Sequence, residues 1–487
     1  MKSESCEGRG KADTLLRFLI LYACKGAQMG AYMERTDRIY QDYLERLKSE
    51  LIPAFGCTEP IAIAYAAAYV RETLGEAPER MEVEASGNII KNVKSVIVPN
   101  TGGMKGIAAA AAAGVISGRA DRKLEVLSHL TQEDQERIHA YVQEVPIAVR
   151  KADSPLTFDL IVTGTCGAHE ARVRIAGSHT NVVRVEKDGK ILLNKAISEE
   201  ACGGSPDGEA EEKTVTADGA AGAEGVAEEE KTPLTILGIV EFAEAVRIED
   251  VQETLERQIR FNTAISEEGL RGDYGANVGS VLLATYGDDV KVRARAAAAA
   301  GSDARMNGCE LPVVINSGSG NQGLTVSLPV LEYAKELGTD REKLYRALVI
   351  SNLTAIHLKE GIGTLSAYCG AVTAGAGAGA GIAYLLGGGL SEISHTIVNA
   401  LANVSGIICD GAKPSCAAKI ATSVEAGILG YYMYRNGQQF YGGDGIVRKG
   451  VERTIANVAR LGRDGMKETD QEILDMMTEE TGRSGCL

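Results

Sequence analysis

The sequence predicts an α+β protein with a mixed α/β first half and a predominantly helical second half. Within Met81–Pro99 apolar side chains alternate with polar ones, and Leu156–Leu193 also has the pattern of several strands. From Leu234 onward nearly every segment has apolar residues at helical spacing instead. An acidic segment that is rich in Gly and Ala separates these regions, and 487 residues allow two or three domains.

The predicted elements of the first half begin with an amphipathic helix over 37–51, where Tyr40, Tyr43, Leu44 and Leu47 share one face. Its other predicted elements, in chain order, are a helix that begins at Pro60 and includes Ile61–Val70, strands within Met81–Pro99, a small-residue helix over Gly102–Ile116, and several strands within Leu156–Leu193 with a hairpin turn at Asp188–Gly189.

The chain divides into four parts by composition. We predict an N-terminal extension (1–36), a mixed α/β portion (37–202), an acidic disordered linker (203–233) and a helical, cluster-binding portion (234–487). The linker has nine acidic residues, two lysines and almost no large apolar side chain, so it cannot bury enough surface to fold. The apolar patch of the extension is interrupted by Arg17 and is too short for a signal peptide, and Met33 is a candidate start of the fold.

Residues 361–391 contain no charged side chain, and Gly and Ala alternate from Ala374 to Gly381. The length alone would allow a membrane span. Glycine is a poor helix former that adds little to lipid partitioning, which favours a buried helix that its neighbours approach closely.

The net charge argues against some classes of binding partner, and the cysteine content argues against a disulfide-stabilised fold. The formal net charge is −15, so the chain is not expected to bind nucleic acid or an anionic membrane by electrostatic attraction. Ten cysteines in 487 residues are too few for a disulfide scaffold. We expect a cytoplasmic protein whose grouped thiols are metal ligands or catalytic groups.

Three cysteines of the second half are candidate metal ligands. Cys409 lies in a loop, Cys416 follows Pro414 at a predicted helix start, and Cys369 lies in the Gly/Ala-rich stretch. The helix terminus and nearby lysines would lower a thiol pKa and favour the thiolate. Three such thiolates suit a 4Fe–4S cluster with one open iron. Buried inert cysteines and a zinc site are the alternatives.

Cys57 and Glu59 precede another predicted helix, in Phe55-Gly-Cys-Thr-Glu-Pro60. The helix dipole would favour a Cys57 thiolate, which is a usable base, although simple burial explains this cysteine equally well. Glu59 could contact a substrate ammonium, but capping the helix is the more ordinary role for this carboxylate.

The segment Gly318-Ser-Gly-Asn-Gln-Gly323 matches a dinucleotide-binding pattern. The following segment is helical and leaves no βαβ unit, so we favour a nest of backbone N–H groups for a carboxylate. Ser319, Asn321 and Gln322 would then be side-chain donors to a substrate, and an ordinary loop is the alternative. His179, in Ser178-His-Thr180, is interpreted as a structural histidine.

Together, these segments resemble the L-cysteine desulfidase family, which is similar to the alpha domain of iron–sulfur L-serine dehydratases. The resemblance covers about 37–478, apart from the acidic insert. It depends on four motifs, namely Gly56-Cys-Thr-Glu-Pro60, Gly318–Gly323, Lys359-Glu-Gly-Ile-Gly363 with Cys369, and Cys409-Asp-Gly-Ala-Lys413 through Ser415, Cys416 and Ala417.

The resemblance implies a lyase that converts L-cysteine to hydrogen sulfide, pyruvate and ammonia through aminoacrylate. It implies that Cys369, Cys409 and Cys416 bind a 4Fe–4S cluster and that Cys57 accepts the proton, without pyridoxal phosphate. The alternatives are L-serine dehydration at the same site, a pyridoxal-dependent lyase, and a redox sensor that carries the cluster without catalysis. The expected partner is a small amino acid, and abundant small-residue helix faces suggest a homodimer.

Overall fold

The protein has the predicted α+β architecture, with a six-stranded mixed sheet in its first half and a helical second half. It is a computed structural model that describes residues 33–154, 156–196, 232–363 and 366–478. The predicted N-terminal extension and acidic linker lie almost entirely outside these ranges.

The elements of the first half are, in chain order, α1 (Arg38–Glu50), β1 (Pro53–Phe55), α2 (Thr58–Leu74), β2 (Arg80–Ala85), α3 (Gly87–Val93), α4 (Gly106–Ser117), a 3-10 helix (Ala120–Glu125), α5 (Gln132–Glu144), β3 (Ile147–Lys151), β4 (Asp159–Cys166), β5 (His169–Ala176), β6 (Val182–Lys187) and β7 (Lys190–Asn194). Those of the second half are α6 (Ile236–Ala245), α7 (Ile248–Arg271), α8 (Val278–Tyr286), α9 (Val290–Met306), β8 (Pro312–Val314), α10 (Gly320–Leu337), α11 (Arg341–Ile362), α12 (Gly370–Leu385), α13 (Leu390–Asn403), α14 (Cys416–Arg435), α15 (Val451–Arg460), a π-helical turn (Leu461–Gly465) and α16 (Lys467–Thr478).

The large sheet has the strand order β3-β2-β4-β5-β6-β7, in which only β2 and β3 are parallel. The predicted hairpin is present between β6 and β7. Asp188 and Gly189 at its turn have φ values of 51° and 77°, the left-handed conformation that two-residue hairpin turns need. Helix α2 packs on β4 and β5 and carries its apolar face into the main core.

The prediction of strands within Met81–Pro99 is confirmed in its first part and wrong in its second part. Only Arg80–Ala85 forms a strand, and Gly87–Val93 forms helix α3. Ile89 and Val93 are four residues apart and both fully buried, which places them on one helical face. Their spacing therefore fits a helix better than a strand.

Helix α12 is the buried, closely approached helix that the Gly/Ala alternation predicts. A Cβ on Gly375 or Gly379 would lie 2.3 Å and 2.8 Å from atoms of α14, whereas one on Gly377 or Gly381 would lie 2.5 Å and 2.8 Å from atoms of α11. The alternating glycines thus let two helices approach α12 from different sides. None of the helices in the described ranges has the length and apolar character that crossing a bilayer requires.

A small two-stranded sheet joins the two halves of the chain. Strand β1 pairs antiparallel with β8, with Ala54 opposite Val313. The segment after β1 leads into Cys57, and the segment after β8 leads into Ser319, so this pairing brings two of the predicted site segments together. Because β8 pairs with β1 in an antiparallel manner, the Gly318–Gly323 segment is not part of a βαβ unit.

Candidate functional site

A cavity lies where the two halves meet, with about 840 Å³ of empty space including the part open to solvent. Every residue that the sequence analysis proposed for the site lies on its wall. These are the four cysteines (Cys57, Cys369, Cys409 and Cys416), Glu59, and the polar residues Ser319, Asn321 and Gln322.

A short backbone pairing brings Cys369 beside Cys409. Tyr368 and Ile408 form an isolated antiparallel bridge. On either side of it, the N–H of Cys369 donates to the Ile407 carbonyl at 2.9 Å, and the N–H of Cys409 donates to the Ala367 carbonyl at 2.6 Å. The two thiols, forty residues apart in sequence, are thereby held as neighbours by main-chain hydrogen bonds.

Cys416 is the first residue of α14, as predicted, and its Sγ lies 3.7 Å from the Gly411 carbonyl. Gly411 has a φ of 96°, and a Cβ there would lie 2.3 Å from the Lys91 carbonyl oxygen. Glycine is therefore required where this loop meets α3. We call Cys369, Cys409 and Cys416 the thiol wall.

The pKa values within the thiol wall differ from the expectation. The pKa of Cys409 is lowered because Cys369 donates a hydrogen bond to it and because the buried Lys91 and Lys359 are near. The pKa of Cys369 is raised by the same hydrogen bond and by burial. Burial also raises the pKa of Cys416, so its position at a helix N-terminus does not produce the expected lowering.

Lys413 and Lys419 are the lysines near Cys409 and Cys416 in sequence, but two buried lysines from other segments also lie beside the thiol wall. Lys413 and Lys419 both form ion pairs with Asp410. Lys91 is 2% exposed and pairs with Asp470. Lys359 is 6% exposed, and burial lowers its pKa to about 8 against the opposing effect of the Cys409 and Cys369 thiols. Two buried cations therefore compensate negative charge at this wall.

Cys57, Glu59, Asn92 and His179 form a second group, which we call the base wall. The Cys57 Sγ donates to Glu59 Oε2 at 3.0 Å, and Asn92 Nδ2 donates to Glu59 Oε1 at 3.0 Å. His179 Nε2 lies 3.9 Å from Glu59 Oε1. The ring of Phe158 packs edge-on against His179, with 4.7 Å between ring centroids.

The base wall reverses the expected protonation of Cys57. Burial and the charge of Glu59 raise the pKa of Cys57 well above its usual range, and Arg305 opposes this only in part. Burial alone would raise the pKa of Glu59 as well, but His179 and the Cys57 hydrogen bond lower it to about 2. The resting pair is therefore a neutral thiol that donates to a carboxylate, and a helix dipole does not outweigh a buried carboxylate two residues away.

The three polar residues after Gly318 are partly engaged within the protein. Ser319 is the N-cap of α10 and accepts from the Gln322 N–H at 3.5 Å. The Asn321 Oδ1 accepts from Arg305, and the Gln322 Oε1 accepts from Thr373 at 3.3 Å. The Asn321 Nδ2 donates to the Met306 sulfur at 3.6 Å, so the Gln322 amide nitrogen is the donor of most interest for a substrate.

The donor set of the thiol wall is compatible with an iron–sulfur cluster. In the described residues, no three His, Cys, Asp or Glu side chains meet as ligands of one metal ion. In a cubane cluster each thiolate binds a different iron, so the sulfur atoms surround a volume and do not converge on one point. Three thiols on one cavity, together with two buried lysines, fit such an anionic group.

Lys91, Asn92 and Arg305 also line the cavity, but none of them lies in a motif that the sequence offers. Lys91 and Asn92 belong to α3, which the sequence analysis assigned to a strand. Arg305 is the penultimate residue of α9 and lies outside any motif. The only sequence signal for the first two was the helical spacing of their apolar neighbours.

One family model and several curated relatives match most of the chain. The family model "Serine dehydratase alpha chain" matches residues 121–475. A UPF0597 protein of Desulfitobacterium hafniense (strain Y51) is 58% identical over 446 residues, which cover 92% of this chain and 98% of the relative. UPF0597 proteins of Lachnoclostridium phytofermentans and Treponema denticola are 50% and 44% identical and cover 90% and 91% of this chain and 100% and 98% of their own. The range that the family model matches includes the thiol wall and His179, whereas Cys57, Glu59 and Asn92 precede it.

Proposed function

The chain belongs to the serine dehydratase alpha chain family of lyase-type enzymes, and from this premise we propose that it is an iron–sulfur-dependent lyase that converts L-cysteine to hydrogen sulfide, pyruvate and ammonia. The observation that supports the proposal most directly is the cavity, where three grouped thiols face a fourth that is bonded to a carboxylate.

Cys369, Cys409 and Cys416 would hold a 4Fe–4S cluster, with Lys91 and Lys359 compensating its negative charge. When bound, such a cluster with an open iron supplies a Lewis acid for the leaving group. The protein contributes the main-chain bridge that holds two of the thiols and Gly411, which lets the loop before the third thiol approach α3.

Cys57 would remove the proton from Cα of the substrate. Because its thiol is neutral at rest, we propose a relay in which Sγ takes the Cα proton while its own proton passes to Glu59 across the 3.0 Å contact. The electrons of the broken C–H bond form the Cα–Cβ double bond, and the Cβ–S bond breaks. This gives Glu59 a proton-accepting role in place of the capping or ammonium contact that the sequence suggested.

The other residues of the base wall and the α10 start would orient the reacting groups. Asn92 orients the Glu59 carboxylate through its hydrogen bond, His179 lies beside that carboxylate, and Ser319, Asn321 and Gln322 would be donors for polar atoms of the substrate. The proton on Glu59 returns to the departing hydrosulfide through Cys57. The aminoacrylate product then tautomerises to an imine, and water hydrolyses it to pyruvate and ammonia.

L-Serine dehydration is the second candidate, and the description of the matching family model favours it. Hydroxide and hydrosulfide both leave from Cβ, so the same base wall serves either substrate. The two functions differ in the leaving group alone.

The deciding experiment compares sulfide release from L-cysteine with pyruvate release from L-serine on anaerobically purified protein. We expect kcat/KM for L-cysteine to exceed that for L-serine by at least about 10-fold. The reverse ratio would identify a serine dehydratase. Protein that contains iron and sulfide but turns over neither amino acid would contradict both and would favour the redox-sensor alternative.

A further inference from the structure

Arg305 is a buried cation on the cavity wall. Its side chain is 4% exposed and extends from the last turn of α9 to the N-terminus of α10. A Cβ on Gly320 would lie 2.3 Å from its Nε, so the guanidinium packs directly against the first residue of α10, and a larger residue there would displace it. The fold thus provides a dedicated space for this charge.

The guanidinium lacks an anionic partner among the residues that the structure describes. Its Nη1 donates to Asn321 Oδ1 at 3.2 Å, and its Nε has no hydrogen-bond partner there. No described carboxylate forms an ion pair with it. Burying an unpaired guanidinium costs free energy unless an anion or further acceptors complete its hydrogen bonds.

Arg305 lies close to both walls of the cavity. Its charge lowers the pKa of Cys57 and of Cys416 against the larger effect of burial. The next residue, Met306, packs with Cys57 and Cys416 in one small apolar cluster. An anion held by Arg305 would therefore lie beside the thiol that faces Cα in the proposed reaction.

We propose that Arg305 binds the α-carboxylate of the amino-acid substrate and so makes the site selective for free α-amino acids. The inference rests on the proposed lyase function. A guanidinium offers two parallel N–H donors that match a carboxylate, and no described carboxylate occupies those of Arg305 on the cavity wall. Neutralising the carboxylate also makes the Cα proton easier to remove, because the developing negative charge is no longer repelled.

Equilibrium binding tests this assignment without turnover. Holoprotein, purified anaerobically, is titrated by calorimetry with L-alanine and with L-alaninamide, which lack a leaving group and differ in the carboxylate. The wild type should prefer L-alanine by about 10- to 100-fold. Arg305→Gln should abolish the preference by weakening L-alanine binding, and Arg305→Lys should retain part of it.

Arg257→Gln is the matched control, since Arg257 also has an unpartnered Nε but lies outside the cavity. It should keep the wild-type preference. A preference that persists in Arg305→Gln, or a wild type that does not distinguish the ligands, would overturn the assignment. Loss of iron and of visible absorption in Arg305→Gln would also overturn it, because the guanidinium would then serve the cluster. Selective L-alanine binding by a protein that turns over neither cysteine nor serine would refute the lyase function. It would still support carboxylate binding by Arg305.

Discussion

The base wall and the thiol wall differ in how completely the protein satisfies their polar groups. In the base wall, Glu59 accepts hydrogen bonds from Cys57, Thr58 and Asn92, and His179 lies beside it. In the thiol wall, one thiol donates to another, and the buried Lys359 contributes a positive charge. Within the described chain, the Glu59 carboxylate has its hydrogen bonds complete, although the His179 Nε2 has no hydrogen-bond partner, whereas the buried Lys359 beside the thiols forms no ion pair with a described carboxylate.

This difference indicates which wall depends on an added group. A network whose hydrogen bonds are complete keeps its geometry without a cofactor. Buried lysines beside thiols are instead stabilised when those thiols become anionic and bind metal. We therefore expect the walls to respond separately to substitution.

The largest effect should follow from Cys409→Ala, which removes the thiol that Lys91, Lys359 and Cys369 all act on. Even substitutions next to metal ligands cost about 10- to 100-fold in metal affinity or activity, so loss of a ligand should exceed this. Iron content, visible absorption and activity should all fall. Cys309→Ala is the matched control, because Cys309 is buried outside the cavity; equal iron loss in both variants would count against the thiol wall as the metal site.

Cys57→Ala should separate the walls most clearly. It removes the proposed proton acceptor, so kcat should fall by about 10²- to 10⁴-fold. Iron content and the visible spectrum should stay at wild-type levels, because no ligand changes. Substantial turnover by this variant would show that another group removes the Cα proton.

Glu59→Gln should have a smaller effect on the same wall. The carboxamide keeps the shape and still accepts the Cys57 hydrogen bond, but it does not take up the proton, so we expect kcat to fall by about 10²-fold with little change in KM. Glu452→Gln is the control, since Glu452 contacts His357 at 2.8 Å in a Glu–His pair that lies outside the cavity. Similar kinetic losses in the two variants would point to a general effect of removing a carboxylate from such a pair.

The sequence predicts best those parts of the fold that depend on local patterns. The alternation of Gly and Ala identifies α12, and Asp188–Gly189 identifies a hairpin, because close helix packing and left-handed turns restrict which residues fit. Residues 87–93 are not identified as a helix by sequence, because a short apolar segment is compatible with a helix or a strand until its packing partners are known.

The sequence predicts those site residues that occur in motifs. It does not predict Arg305, which lies outside any motif. The thiols and Glu59 lie in compact segments whose residue types indicate chemistry. Arg305 and Lys91 are single charged residues, and only the pairing of distant segments places them on the cavity. The protonation of Cys57 also depends on burial, which a helix-dipole argument from sequence does not include.

The hydrogen bond from Thr58 to the Gly318 carbonyl joins residues 260 positions apart. At a translation rate of about 5–20 residues per second, the second of these segments leaves the ribosome roughly 10–50 s after the first. During that interval a nascent chain contains Cys57 and Glu59 but none of the three cysteines of the thiol wall. The proposed cluster would therefore be loaded late in biogenesis, after the segment that carries the thiol wall has been synthesised.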